Sequence, residues 1–185
     1  MQTKWKLPGT VIELDRSEAG HVGKIFDTMF LTGGMTLSQV CNLTGLEAYM
    51  VQNWVKRGFL TPPQHKRYNI EQVCRIININ MLKSILPMER ICGLLSYVNG
   101  HLDDTSDDII QDSQLYTIFV GLAVRAKELD DRVACLRIIN EQLADYVEPV
   151  PGAKDRIAVV LRIMLTAWAA AQLRQAAEQM LKEID

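Results

Sequence analysis

Between positions 52 and 57 the chain places Gln52, Asn53, Lys56 and Arg57, and beyond a proline pair it places Lys66 and Arg67. A primary amide offers a donor and an acceptor side by side, the pattern that complements an adenine edge, while guanidinium and ammonium groups suit guanine or phosphate. This is chemistry for reading a duplex rather than for breaking bonds. The plainer role for the same residues is the wet face of an amphipathic surface helix.

The other reactive residue types do not converge. His21, His65 and His101 are scattered, and Cys41, Cys74, Cys92 and Cys135 form no CxxC pair. Reduced core cysteines are expected, with no metal and no cofactor. Asp103, Asp104, Asp107, Asp108 and Asp112 crowd one stretch. That stretch lacks the central glycine and closing glutamate of an EF-hand loop, so a solvated linker with helix-capping aspartates is expected. No nucleophile sits beside a base, no carboxylate pair marks a cleft and no phosphate loop is present, so an enzyme is not expected.

The elements that must position the polar set lie between Thr36 and Tyr68. Thr36 suits the cap of a helix whose Leu37, Val40 and Cys41 share a face, and Gly45 permits a turn into a second helix over 47–57. In that second helix Met50 with Trp54, and Val51 with Val55, form apolar rows at four-residue spacing. Ala48, Gln52 and Lys56 form a second pair of small or polar rows with Tyr49, Asn53 and Arg57. Gly58 ends the helix, Phe59 and Leu60 return to the core, and Pro62 and Pro63 stiffen the link to a basic loop over 64–68. The loop has the makings of a wing. On this arrangement Thr36 and Ser38 would meet phosphate, Tyr49, Gln52, Asn53, Lys56 and Arg57 would enter the groove, and Lys66, Arg67 and Tyr68 would flank it.

The stretch VQNWVKRGFLTPPQHKRYNIEQVCRIININMLKSILPMERICGLL resembles the amino-terminal domain of MerR-type regulators. It is more similar still to an uncharacterised bacterial family of MerR-like winged-helix proteins. The shared features are the aromatic-Val-Lys before Gly58, the basic residues before Tyr68, the Ile- and Leu-rich helix that follows, and a further helix opened by Leu86, Pro87 and Met88. They cover roughly a third of the chain. The resemblance implies transcription regulation with double-stranded DNA as partner. The chain departs from that family in having 35 residues before Thr36 and a brief wing without a glycine hairpin. A different class of function uses the same fold as a protein-interaction adaptor that never touches DNA.

The 185 residues are 48% hydrophobic, which excludes wholesale disorder, and a net charge of −2 excludes polyanion binding by the whole surface. Between Met35 and Asn69, however, four basic residues face one acidic residue. Any DNA contact must be local.

Ahead of Thr36, Trp5 and the Leu7-Pro8-Gly9 turn suit an extended lead, and Ser17 suits the cap of a helix carrying Val22, Ile25, Phe26, Met29 and Phe30. After the wing, Asn69 with Gln72 forms a capping box for a helix buried through Val73, Ile76, Ile77 and Leu82. Met88, Ile91, Leu94, Leu95 and Val98 mark the next helix, closed by Asn99 and Gly100.

Beyond the acidic stretch Leu115, Phe119, Leu122, Ala126, Leu129, Val133, Leu136, Asn140 and Leu143 alternate by three and four, with a polar Asn140 at a core position. A homodimer seam through Leu122, Leu129, Val133, Leu136, Asn140 and Leu143 is expected. Ile118, Val124, Ile138 and Ile139 widen the stripe and Asp130-Asp131 suits a break, so one long helix and a compact bundle both stay open. The run 157–171 is apolar nearly all round but shorter than the ~20 residues that span a bilayer, favouring a buried bundle helix. Trp168 within it is plain core or the lining of a small-molecule effector site. The expected architecture is all-α: a winged helix-turn-helix domain over 1–100, an acidic linker over 101–112 and a helical dimerisation or effector domain over 113–185. No leading apolar run is present, so a cytoplasmic protein without membrane contact is expected.

Overall fold

The computed structural model describes residues 4–31, 33–125 and 132–184, and the side chains of 105 and 132–134 lie outside that description. The chain is predominantly α-helical, with 64% helix and 6% strand. The helix α4 (Ile70–Leu82) is its axis, since every residue from Gln72 to Ile79 is buried. A helix buried all round needs partners on every side, and α4 has them in α1 (Val22–Phe30), α2 (Leu37–Thr44), α5 (Met88–Asn99), α6 (Asp112–Ala123) and α8 (Ala153–Leu181). Asn69 and Gln72 form the expected capping box at its start.

The lead is a hairpin of β1 (Lys4–Lys6) and β2 (Glu13–Asp15), with Trp5 opposite Leu14. Leu7 is fully buried, and the Tyr116 hydroxyl donates to the Pro8 carbonyl at 2.7 Å. Gly9 takes φ +73°, and a Cβ there would stand 2.5 Å from the Ile77 carbonyl oxygen, so only glycine lets the turn press on α4. The helix expected from Ser17 begins instead as a 3₁₀ turn over Arg16–His21 capped by Asp15, whose carboxylate accepts from the Ser17 amide and hydroxyl. An aspartate outcompetes the next serine because it accepts both.

The row from Leu115 to Leu143 does not form one helix. After α6 the chain returns as α7 (Arg132–Gln142), Arg125 of the α6 end bonding Glu141 of the α7 end at 3.4 Å. Leu122 and Leu143 are buried inside the protomer, Leu136 is half-buried and Asn140 is exposed. Of the two alternatives the single long helix is therefore excluded and the bundle holds: Ile138 and Ile139 take the buried positions and leave Asn140 exposed. Leu129 and the Val133 side chain lie outside the described residues. Asp112, read as part of a solvated acidic stretch, is buried at the first turn of α6.

The last helix is longer than its apolar run. At 29 residues α8 meets the length and hydropathy needed to cross a bilayer, so shortness no longer argues against a span. Inside the protein 39% of its most apolar window is buried, with Ile157, Val160, Leu161, Met164 and Leu165 facing the core. Trp168 packs edge-on against Phe119 at 6.1 Å and borders an open groove with Trp5.

Candidate nucleic-acid interface

Two short helices and a tight turn set out the polar residues. At the start of α2, Thr36 accepts from the Gln39 amide and its own amide donates to the Gln39 side chain, completing a capping box. Gly45 closes α2 in the left-handed region at φ +71°, where a Cβ would also meet Val11 at 3.0 Å. Thr44 donates to the Val40 carbonyl and accepts from the Leu46 amide, which locks the turn into α3 (Ala48–Lys56).

Along α3 the helical period sorts the residues by burial. Val51 and Trp54 are buried and Met50 and Val55 half-buried, while Tyr49, Gln52, Asn53 and Lys56 are exposed on the opposite side. Arg57 stacks over the Phe59 ring at 4.5 Å and pairs with Glu89 of α5 at 2.8 Å. Glu89 was invisible as a partner because it follows 32 residues later.

The basic loop is a hairpin tip. Gln64 and Arg67 pair across it, and His65 and Lys66 take φ +49° and +62°, the left-handed pair that a two-residue I′ turn requires. Asn-Gly fits such a turn without strain, so His65-Lys66 holds a charged tip at an energetic cost. Beyond the tip, β4 (Arg67–Tyr68) pairs antiparallel with β3 (Met35–Thr36), with Thr36 opposite Arg67. The loop thus stands beside the first turn of α2, where Ser38 is exposed and the peptide dipoles leave partial positive charge. Lys66 is exposed, whereas the Arg67 guanidinium donates to the Gly34 carbonyl at 2.8 Å.

Tyr68 corrects the expected contact set. The strand alternation that exposes Arg67 turns Tyr68 into the core, 3% exposed, and burial pushes its phenol pKa up. Thr36 also spends its hydroxyl on the helix cap. What the fold leaves facing solvent is Ser38, Tyr49, Gln52, Asn53, Lys56 and Lys66, with Arg57 and Arg67 exposed but tethered.

Behind this face lies a bracket that sequence reasoning missed. Arg75 of α4 is 4% exposed; its Nε donates to the Phe59 carbonyl at 3.2 Å and its Nη1 to Asp112 at 3.2 Å. Asn78 donates to the other Asp112 oxygen, and Glu71 accepts from the Ser113 amide and hydroxyl. The chain leaving α3 is thereby tied to the start of α6. The legible signal was Arg75 and Asn78 three apart among the apolar residues Val73, Cys74, Ile76, Ile77 and Ile79. Burial raises the Asp112 pKa, opposed by the Arg75 charge and the bonds from Asn78 and Arg75. Beside them, a cavity of about 130 Å³ is bordered by Gln72, Arg75, Asn99 and Asp108. Burial first, then the nearby Asp107, Asp112 and Glu71 carboxylates, raise the Asp108 pKa to about 6. No group of three metal-ligating side chains occurs among the described residues.

Residues 30–119, from the end of α1 through most of α6, match the model of a domain of unknown function, DUF1836. Over 84 residues the chain is 36% identical to the uncharacterized protein YkrK of Bacillus subtilis (strain 168), covering 43% of this chain and 36% of that one. The chain thus spans about a third of the length of that relative. No solved structure matches the chain. Both matches point to an uncharacterised family, and neither carries the MerR resemblance.

Proposed function

We propose that the chain is a sequence-specific DNA-binding regulator of MerR-like winged-helix type, laying α3 in the major groove and the 64–67 hairpin on flanking phosphate. The observation that carries this reading is the division of α3: Val51 and Trp54 anchor it while Gln52, Asn53 and Lys56 project from the free side. Two amides and an ammonium on one free helix face supply base-edge and phosphate chemistry together. The strained His65-Lys66 tip beside the α2 amino terminus supports a second phosphate contact.

Anisotropy titrations on a selected duplex and on random DNA test the reading. With Lys56, Lys66 and Arg67 each meeting one phosphate, log K should fall against log salt with a slope of roughly −3 per protomer, at about −0.9 per phosphate. No binding, or a flat salt response on both duplexes, overturns it. Two observations favour an adaptor instead: Glu89 neutralises Arg57, and Tyr49 offers a 69% exposed aromatic ring, a residue type enriched at protein interfaces. In that case Tyr49→Ala would abolish partner capture while DNA titrations stay blank.

A further inference from the structure

Most of the large exposed apolar side chains of α8 fall on one line, with Leu181, 61% exposed, standing beside it. Val159 is 46% exposed, Ile163 40%, Leu173 74%, Met180 65%, and Ile184, just past the helix, 80%. Together with Thr166, Ala170 and Ala177 they step by four and three residues in strict alternation from 159 to 184. That 3.5-residue period is the one two supercoiled helices need to keep a seam in register. The stripe is separate from the face that Ile157, Val160, Leu161 and Met164 press into the protomer's own core. From 172 to 184 every residue is exposed, so the end of a helix about 44 Å long, at 1.5 Å per residue, is left largely uncovered by the described residues, with Gln172 and Gln175 bordering the groove beside Trp5.

We propose that this stripe is the seam of an antiparallel homodimer, in which the tail of each α8 lies along the 159–166 stretch of its partner. The antiparallel register pairs unlike residues in every layer: Val159 with Ile184, Ile163 with Met180, Thr166 with Ala177, and Ala170 with Leu173. Leu173 thus meets Ala170 in the central layers, as close packing demands, whereas a parallel pair stacks Ala170 on Ala170 and Ala177 on Ala177 and leaves voids. The flanking positions are also complementary, because the same register sets Arg162 against Glu183 twice about the two-fold axis. Charge complementarity at the flanks of the stripe, Arg162 with Glu183, selects a second copy as its occupant. The seam proposed here lies on the last helix and not on the 122–143 row, where the protomer itself buries Leu122 and Leu143. This inference stands without the DNA reading, since it is tested by mass and cross-linking.

Sedimentation of the full chain at micromolar concentration should give twice the 20.9 kDa protomer mass. The Leu173→Glu, Met180→Glu variant should sediment as a monomer with an unchanged circular dichroism spectrum, because both side chains are exposed in the protomer. Arg162→Glu should weaken the dimer roughly fivefold, at about 0.5 kcal/mol for each of two exposed pairs, and adding Glu183→Arg should restore it. Orientation is read from cysteines: the Ile163→Cys, Met180→Cys double variant should form an interchain disulfide, and neither single variant should exceed the wild-type background. A monomeric wild type overturns the proposal. So does cross-linking of Ile163→Cys alone, which marks a parallel pair, or a monomer that floats with phosphatidylcholine vesicles through the same stripe.

Discussion

Removing the Asp112 carboxylate isolates one cause of stability and links it to the α3 face. In the Asp112→Ala protein, Arg75 keeps its place at 4% exposure and its bond to the Phe59 carbonyl, but loses its counter-charge. Asn78, fully buried, loses an acceptor at the same time. Stripping one partner from a buried ion pair costs about 3–5 kcal/mol, because the surviving charge remains desolvated. Against a total stability of about 5–15 kcal/mol for a domain, that removes a large share. Asp112→Asn retains an acceptor for Arg75 and should cost about half as much. The double variant Arg75→Met, Asp112→Leu deletes both charges and should lie within about 1.5 kcal/mol of wild type, since well-packed apolar replacements of a buried pair are often neutral. Urea unfolding at pH 7, followed by circular dichroism and by tryptophan fluorescence, measures all three. Trp54, on α3, reports whether the α3 region loosens first. A loss below 1 kcal/mol for Asp112→Ala, or a double variant worse than the single, would refute the bracket.

Three further outcomes follow from the same geometry. Glu89→Gln releases Arg57, so DNA affinity should rise and the salt slope steepen by about one unit per protomer; an unchanged slope means Arg57 does not face phosphate. Gln52→Ala and Asn53→Ala should each cost roughly 1–3 kcal/mol on the preferred duplex and much less on random DNA, and equal losses on both would remove these amides from base recognition. For Asp108, a carboxyl whose pKa is raised from 3.8 to about 6 in the folded protein, the native state holds its proton more tightly than the unfolded chain. Its contribution to stability is present below about pH 4 and is lost as pH rises to about 6. Asp108→Asn should flatten that part of a Tm-against-pH curve and raise Tm at pH 7; a parallel curve would show that Asp108 is solvated.

How much of this was legible in the chain depended on the range of the interaction. Thr36 with Gln39, Asn69 with Gln72, the stop at Gly45 and the two faces of α3 are all settled within four residues, by capping geometry and the 3.6-residue period, and each reads directly from sequence. The hairpin tip was half legible. Its basic residues were plain, but the left-handed His65-Lys66 pair, closed by the Gln64–Arg67 bridge, goes against the local preference of those two residues. The assignments that only tertiary structure decided are those in which separate segments compete for one role. Tyr68 belongs to the core because Met35 pairs beside it, and Arg57 and Arg67 are tethered by Glu89 and the Gly34 carbonyl. The 115–143 row shows the limit most clearly: its alternating spacing suits a seam between chains as well as a contact within one. The return of α7 onto α6 buries Leu122 and Leu143 internally and leaves the unmatched apolar line on α8, because periodicity specifies that a face must be covered and the packing of the whole chain decides by what.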